Sequence, residues 1–298
     1  MRNIANRDCT TTIRGLAILL IIIGHVGVSG FGYRIFNPFG GIGVAIFLFL
    51  SGYGLTESYK KSGLERFWGK KIMRIGIPYL IWIPIYHIAV RLSFLGSTNG
   101  IDAIPRYWFI EYLLVLYILF YFLYKFCPKY ILSIMTGIGI LSFLTLNNLR
   151  AEQSFSFISG MIFSLNKNYF ENLERRHLLT IAASLFIVGI IALLIKQLPQ
   201  IRLFDLESIQ FKCLNLLIKL PIGLSLFFLL LSIKPNGIKG IKSIGYISYE
   251  LYLTHVSFFM SISGRITYLL FFIIQTFILA YILYYANKFI TNFFSNEK

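Results

Sequence analysis

Residues 11–25 of the chain read TTIRGLAILLIIIGH, an apolar run with an arginine near its start and a histidine at its end. Continued over residues 13–29, the run approaches the length of a membrane-spanning helix. Arg14 and His25 are eleven residues apart, so on a helix their side chains lie within about 20° of each other. They are separated by about 16 Å along the helix axis. The stretch therefore predicts a first transmembrane helix with two polar groups on one face.

Similar apolar runs recur along the whole chain. The composition, 57% hydrophobic and 13% charged, is more apolar and less charged than that of a soluble domain, about 45–50% and 25%. We therefore expect an all-α fold, a polytopic transmembrane helical bundle of about ten spans. No connection between spans is long enough for a soluble domain, so residues 1–298 are predicted to form a single membrane-embedded domain. The predicted spans are residues 13–29, 39–56, 75–95, 107–126, 130–147, 154–166, 178–196, 214–233, 244–263 and 267–290.

Basic residues predict the orientation of the bundle. If the N-terminus is cytoplasmic, the segments on that side carry 19 of the 28 Lys and Arg residues and the opposite side carries 9. Because basic residues collect in cytoplasmic loops, both termini are predicted to face the cytoplasm. This topology also explains the net charge of +16, and we expect no nucleic-acid partner. A cleaved signal peptide is disfavoured, because His25 interrupts the apolar run and Gly27-Val28-Ser29 is a poor cleavage site.

The cysteines and short motifs predict no metal site and no bound cofactor. Cys9, Cys127 and Cys213 are far apart in sequence and form no CxxC pair. The sequence contains no HExxH, Walker A loop or GxGxxG motif.

Ionisable groups inside spans are costly and are candidates for function. Arg14, at the cytoplasmic edge, could hold a phosphate, or it could be an anchor that extends to the interface. His25, deep in the span, could act as a general base, or it could form a structural hydrogen bond between helices.

Further basic and polar residues cluster near the same cytoplasmic edge. Lys71 and Arg74 share a face at the start of the third span, where they could bind phosphate or serve as a positive-inside anchor. Ser51 and Tyr53 end the glycine-rich second span and are candidates for lining a polar cavity there.

Other candidates lie towards the opposite side. Glu111 could orient a catalytic histidine, or it could be an interfacial acid facing water. Trp108, Tyr252 and His255 are candidate cavity residues, with Tyr252 and His255 on one face of the ninth span. His87 and His177 are weaker candidates.

Four motifs, in order, carry a resemblance that covers nearly the whole chain. They are IRGLAILLIIIGH with Arg14 and His25, FLFLSGY with Ser51 and Tyr53, KIMRIGIPY with Lys71 and Arg74, and ISYELYLTH ending at His255. In this combination the chain resembles the acyltransferase-3 family of membrane acyltransferases. It departs from the family at Lys71, where the family has arginine. It also departs at Trp108-Phe109-Ile110-Glu111, which replaces a longer family motif. The role of the family's acidic residue therefore applies to Glu111 only in part.

The resemblance implies an O-acyltransferase, with His25 as general base and Arg14 in donor binding. It implies acetyl-CoA, or another acyl-CoA, as co-substrate, and a hydroxyl of a cell-envelope or exported carbohydrate as acceptor. It also implies a multi-pass protein of a bacterial-type inner membrane that acts as a single-domain member, without an esterase-like domain.

Two other functions are compatible with a multi-span chain that carries a few polar residues. A transporter or flippase of an envelope precursor would place those residues along a substrate pathway, but the sequence shows no inverted repeat. A scaffold subunit of a polysaccharide complex would leave the Arg14 and His25 pair without a role. Consumption of a thioester separates the enzyme from both alternatives.

Overall fold

The polypeptide is helical throughout the part of the chain that can be described. A computed structural model describes residues 6–91, 107–233, 236–258 and 266–296. Within these ranges the chain forms α-helices and short π and 3-10 turns, and no strand. The α-helices are α1 (Arg7–His25), α2 (Asn37–Ser62), α3 (Phe67–Lys71), α4 (Ile77–Arg91), α5 (Trp108–Phe126), α6 (Ile131–Thr145), α7 (Asn148–Ala151), α8 (Ser156–Leu165), α9 (Lys167–Glu171), α10 (Arg175–Gln197), α11 (Pro199–Arg202), α12 (Ile209–Ile233), α13 (Lys239–Tyr246), α14 (Ser248–Phe258) and α15 (Ile266–Asn296).

Seven helical segments in the described chain are long and apolar enough to cross a membrane. The prediction of an all-α, polytopic helical bundle is confirmed. The count of ten spans and the cytoplasmic position of both termini stay predictions. The seven segments are Arg7–Val28, Arg34–Ser62, Trp108–Phe126, Pro128–Thr145, Arg175–Gln197, Ile209–Ile233 and Ile266–Phe293.

The other three predicted spans are helical as well, but they are shorter or interrupted in the described residues. The span at 154–166 corresponds to α8, a helix of ten residues. The span at 75–95 corresponds to the end of a π turn and α4, and its residues 92–95 lie outside the described residues. The span at 244–263 contains α14 and the end of α13, and its residues 259–263 lie outside the described residues.

Helix α1 is the most enclosed of the seven segments, with 56% of its apolar stretch buried against 22% for α10 and α15. It contacts α2, α13 and α14. The exposed apolar residues of α10 and α15, among them Leu194 and Ile274, form the outer surface expected where a helix faces lipid. Arg14 and His25 of α1 are thus partly buried within the bundle.

Glycines allow α1 to pack with its backbone against its neighbours. A Cβ atom at Gly15 would lie 2.1 Å from the carbonyl oxygen of Ile241 in α13, and one at Gly245 would lie 1.9 Å from that of Thr11 in α1. On the α2 side, a Cβ atom at Gly43 would lie 2.4 Å from the Ala17 carbonyl oxygen. Small residues are the usual means of close helix approach in membranes. These contacts fix the position of α1 relative to α2 and α13.

Tyrosine hydroxyls hold α14 in its place in the bundle. Tyr107 at the start of α5 donates to the carbonyl oxygen of Leu253 at 3.0 Å and accepts from the indole nitrogen of Trp82 at 2.8 Å. Tyr249 donates to the carbonyl oxygen of Ile75 at 3.0 Å, within the π turn Ile72–Gly76 that follows α3. Because both carbonyls belong to helical backbone, α14 is tied to α4, α5 and the segment that carries Arg74.

Enlarging Gly245 is expected to destabilise the bundle. In Gly245→Ala the new methyl group meets the α1 backbone, and overpacking of this kind costs about 1–3 kcal/mol. Gly54→Ala is the matched control, because position 54 is an exposed helical site with no atom within 4 Å of a Cβ, where alanine is favoured over glycine by about 0.5–1 kcal/mol. Thermal unfolding in detergent should show a lower Tm for Gly245→Ala only. Equal Tm values for the two variants would contradict the close contact between α1 and α13.

Candidate active site

Three basic residues from two parts of the chain come together beside the first half of α1, around Arg14. Arg14 projects from α1, Lys71 ends α3, and Arg74 lies in the π turn that follows. The charge of Arg14 acts on both Lys71 and Arg74, which places the three groups in one cluster. Arg14 and Lys71 are partly buried, and Arg74 is exposed. The structure thus brings together the three basic residues that the sequence predicted for donor binding.

In the described part of the chain, no carboxylate forms an ion pair with this basic cluster of Arg14, Lys71 and Arg74. The pKa of Lys71 is lowered to about 8, first by burial and then by the charges of Arg74, Lys70 and Arg14. Mutual repulsion of this kind disfavours the charged lysine. A bound anion would relieve the repulsion, and phosphate suits such a site because guanidinium and ammonium groups both bind it well.

Tyr117 of α5 joins the basic cluster to α2. It is buried, and its ring lies 5.1 Å from Lys71 Nζ. Its hydroxyl interacts with the side chain of Ser51, and the charges of Arg14 and Arg74 act on it. Ser51 therefore lies beside the basic cluster, and its role in donor binding stays a prediction. Sequence reasoning missed Tyr117, because one tyrosine among several aromatic residues of a span gives no signal of its own.

Glu250 is a second residue that sequence reasoning missed. It lies on α14, is 5% exposed, and its charge interacts with that of Arg74 without forming an ion pair in the described structure. A buried acid within a predicted span is the kind of signal that marks a functional candidate. It was overlooked because it lies between the more conspicuous Tyr249 and Tyr252 of the ISYELYLTH motif.

Tyr53 belongs to a different cluster. Its hydroxyl interacts with Lys167 and its ring packs against Phe163, so it is not part of the basic cluster. Beside it, Glu57 pairs with Lys60 at 3.0 Å and Lys167 at 3.3 Å. Glu57, Lys60 and Lys167 line an open cavity of about 500 Å³. Since the opposite charges here neutralise one another, this cavity has less need of an anionic ligand than the basic cluster has.

His25 and His255 meet at the C-terminal end of α1. The ring centres of His25 and His255 are 5.5 Å apart, and the rings are tilted by 42°. Tyr252 packs against His255 at the same centre-to-centre distance of 5.5 Å. The candidate cavity residues Tyr252 and His255 therefore lie together beside His25. His25 ends α1 and is followed at once by a π turn at Val26–Gly30, a feature that is frequent at functional sites.

Trp108 and Glu111 lie near this end of the bundle but differ in their surroundings. Trp108 is partly buried and packs edge-on against Phe109, whose ring packs in turn against Tyr252. Glu111 is 60% exposed and pairs with Arg150 at 3.1 Å. The expectation that Glu111 orients the catalytic histidine is not supported, because its carboxylate is turned to the surface and held by Arg150. The sequence gave no sign of this partner, which arrives from α7, 39 residues away.

The basic cluster and the histidine pair are connected by one continuous helix. Arg14 and His25 both lie within α1 with no break between them, so the expectation that they share a helix is confirmed. Their axial separation is about 16 Å at about 1.5 Å per residue. The arrangement therefore places the basic cluster and the histidine pair about 16 Å apart along one helix.

A comparison with protein families identifies the class of protein. The acyltransferase-3 family model, described as an acyltransferase domain, matches residues 11–286. The match includes the basic cluster and both histidines. The chain therefore belongs to this family and is an acyltransferase, an enzyme embedded in a membrane through its apolar helices. No curated protein and no solved structure matches the chain.

Removing the charge of Glu111 is expected to have little effect on acyl transfer. In Glu111→Gln the ion pair with Arg150 is lost, and exposed pairs of this kind contribute about 0–1 kcal/mol. Turnover of acyl donor by the reconstituted variant should stay within about threefold of wild type, since less than 1 kcal/mol corresponds to a small factor in rate. A turnover rate reduced a hundredfold or more, with unchanged Tm, would instead show that Glu111 takes part in catalysis.

Proposed function

We propose that the protein is a membrane O-acetyltransferase that uses cytoplasmic acetyl-CoA to acetylate a hydroxyl of a cell-envelope or exported carbohydrate. The observation that carries the proposal is the placement on α1 of a histidine about 16 Å from an unneutralised cluster of three basic residues. Membership of the acyltransferase family supports the class of reaction. In this proposal the protein resides in a bacterial-type inner membrane, with the basic cluster on the cytoplasmic side.

The donor is bound through its phosphates in this proposal. CoA carries several phosphate groups at one end and the thioester at the other, so its charged end suits Arg14, Lys71 and Arg74. Arginine can bind phosphate with two parallel hydrogen bonds, and lysine binds it as a point charge. The pantetheine arm then runs along α1 and brings the thioester towards His25.

The chemistry requires a base at the thioester. His25 removes the proton of the acceptor hydroxyl as its oxygen attacks the thioester carbonyl carbon. The new C–O bond forms and the C–S bond breaks, and the CoA thiolate takes the proton back from His25. Enclosure of α1 by protein limits the access of water, which favours transfer to the acceptor over hydrolysis.

Substitutions of His25 and of Arg14 should have separable effects on turnover and on acetyl-CoA binding. We expect His25→Ala to bind acetyl-CoA but to turn over about 10²- to 10⁴-fold more slowly, the range for loss of a general base. Arg14→Ala should weaken acetyl-CoA binding about ten- to hundredfold, because it removes a charged contact. The measurement is acetyl-CoA binding and thioester loss by purified, reconstituted protein, with a panel of envelope glycans as acceptors.

The control for Arg14→Ala is Lys61→Ala, which removes an exposed positive charge from the last turn of α2. It should bind acetyl-CoA as wild type does. Failure of the wild-type protein to bind or consume any acyl-CoA would refute the proposal and leave transport of an envelope precursor as the reading to test.

Donor affinity should depend on pH through Lys71. The charged lysine attracts phosphate, so binding is full below the pKa of about 8 and weakens as the pH rises above it. The loss between pH 8 and pH 9 should reach at most about tenfold, the limit for one proton. Lys71→Arg is the matched variant, because guanidinium stays charged in this range, and its affinity for CoA should not vary over the same interval. Titration of CoA binding by calorimetry checks this, and an equal pH dependence in both proteins would exclude Lys71 from the donor site.

A further inference from the structure

An ion pair lies in the interior of the bundle, apart from the basic cluster and the histidine pair. Lys219 of α12 pairs with Glu152, the residue after α7, and their side chains are 12% and 2% exposed. The lysine ammonium group donates a hydrogen bond to the Oε2 atom of the carboxylate. Charged groups inside a membrane bundle are costly and commonly mark function. Because apolar residues can often replace such a pair without loss of stability, stability alone does not account for it.

The ion pair lies against the first turns of α2, where two glycines leave the helix without side chains. A Cβ atom at Gly41 would lie 2.9 Å from the Nζ atom of Lys219 and closer still to the carbon atoms before it. The lysine side chain therefore crosses the backbone of α2 at Gly41. Gln153, the residue after Glu152, donates from its amide nitrogen to the Gly41 carbonyl oxygen at 3.0 Å.

His25 approaches the same turn of α2 from α1. A Cβ atom at Gly24 would lie 2.6 Å from the backbone nitrogen of Gly40, and His25 is the next residue of α1. Neighbouring Cα atoms are about 3.8 Å apart, so the contacts at Gly40 and at Gly41 are one residue step from each other. The ion pair and His25 thus flank one turn of α2.

The part of this turn that projects between the two flanks is open. Gly43 faces α1, because a Cβ atom there would lie 2.4 Å from the Ala17 carbonyl oxygen, and Gly41 faces Lys219. At about 100° per residue, Gly40 projects into the arc between these two faces. A Cβ atom at Gly40 would have no described atom within 4 Å. The described structure therefore leaves space beside Gly40, between α1 and the ion pair.

The start of α5 lies on the same side of α2 as this space. Phe47 follows Gly40 by seven residues and projects in nearly the same direction. Its ring packs against that of Phe109, with the ring centres 6.1 Å apart. Trp108, the residue before Phe109, is partly buried. The aromatic residues that begin α5 therefore border the space from below, towards the middle of α2.

The chemistry of these groups suits an uncharged ligand with several hydroxyls. An ammonium group has three hydrogens and a carboxylate has two acceptor oxygens, and the bond between Lys219 and Glu152 uses one of each. Both groups can therefore hold further partners, and a sugar hydroxyl both donates and accepts. Since the two charges cancel, the pair attracts an anion much less than the basic cluster does. A few polar groups beside aromatic residues are typical of a ligand site.

We propose that the space beside Gly40, bordered by the pair of Glu152 and Lys219 and by His25, is the site that binds the carbohydrate acceptor. The inference rests on the proposed function and names the place of its second substrate. Glu152 and Lys219 bind hydroxyls of the sugar other than the one that reacts, and in this way hold the reacting hydroxyl towards His25. The donor reaches His25 along α1 from Arg14, and the acceptor reaches it across the first turns of α2.

Filling the space tests the proposal without removing a charge. Gly40→Leu places a side chain beside Gly40 where the Cβ atom meets no described atom, and leucine is favoured over glycine in a helix. We expect the KM for the acceptor to rise at least about tenfold, since about 1.4 kcal/mol of binding is lost per tenfold change. Acetyl-CoA affinity should stay within about twofold of wild type and Tm should not fall, because the donor contacts are untouched. The acceptors are neutral oligosaccharides of glucose, galactose, mannose and N-acetylglucosamine.

Gly54→Leu is the matched control for Gly40→Leu. Position 54 lies in the same helix, and a Cβ atom there also has no atom within 4 Å. It faces away from the proposed site, near the other end of α2, so its KM for the acceptor should equal that of wild type. An equal rise of KM in both variants would contradict a site beside Gly40.

Removing both charges of the ion pair is the second test. Glu152→Leu combined with Lys219→Met replaces the pair by apolar side chains, a change that is often neutral for stability. We expect the KM for the acceptor to rise at least about tenfold with kcat within about threefold of wild type, because the pair binds the acceptor without taking part in the chemical step. Glu207→Gln, at an exposed position just before α12, should behave as wild type. Wild-type KM in a stable double variant would show that the pair is structural only.

Binding measured without acetyl-CoA separates this inference from the proposed function. Calorimetry with the same oligosaccharides should show binding to wild type and to Gly54→Leu, and weaker binding to Gly40→Leu. If acyl-CoA is never consumed but this binding pattern appears, the proposed function fails and the site stands. If acetyl transfer occurs and Gly40→Leu keeps the wild-type KM, the site is overturned and the function stands. Absence of both binding and transfer for every oligosaccharide would also overturn the site, and if the double variant does not fold, the two glycine variants decide.

Discussion

The contact of the α1 backbone with its neighbours is the constraint on which the rest of the site depends. At Gly15, Gly245 and Gly43 there is no space for a side chain between α1 and the adjoining helices. Lipid offers little hydrophobic drive for helix association, so close packing of this kind does much of the work of holding membrane helices together. Because α1 cannot slide or rotate against α2 and α13 without a clash, the positions of Arg14 and His25 are fixed, and the groups brought by α3, α5 and α14 meet them in a constant geometry.

The charges of the bundle distinguish ion pairs whose charges match from a cluster whose charges do not. Around Glu57 the opposite charges of Lys60 and Lys167 are matched, and the same holds for Lys219 with Glu152, which are paired in the interior. The basic cluster around Arg14 has no ion pair in the described residues, and Glu250 acts on Arg74 without pairing with it. Bringing like charges together at low dielectric opposes folding unless something offsets it, so an unneutralised cluster is better explained by a ligand than by stability. Near His25, the Nε2 atom of His255 has no hydrogen-bond partner among the described residues.

Local pattern was sufficient for some of these features and insufficient for others. The apolar runs predicted the helical bundle, and the eleven-residue spacing placed Arg14 and His25 on one helix, because both depend on periodicity within a segment. The meeting of Lys71 and Arg74 with Arg14 followed from charge and from the family resemblance. Contacts between segments far apart in the chain could not be predicted from local sequence pattern. The pairing of Glu111 with Arg150, the place of Tyr117 in the basic cluster, and the approach of His255 to His25 all depend on how helices far apart in sequence pack together.

The central claim is that Arg14 and His25, about 16 Å apart along α1, hold the two ends of one donor molecule. A cryo-EM structure of the His25→Asn variant with acetyl-CoA tests it most directly, because slowed turnover keeps the thioester intact. The account predicts CoA phosphates in contact with Arg14, Lys71 and Arg74, and the thioester carbonyl beside position 25. CoA bound instead in the cavity between Glu57 and Lys167, or with its thioester remote from position 25, would contradict the account.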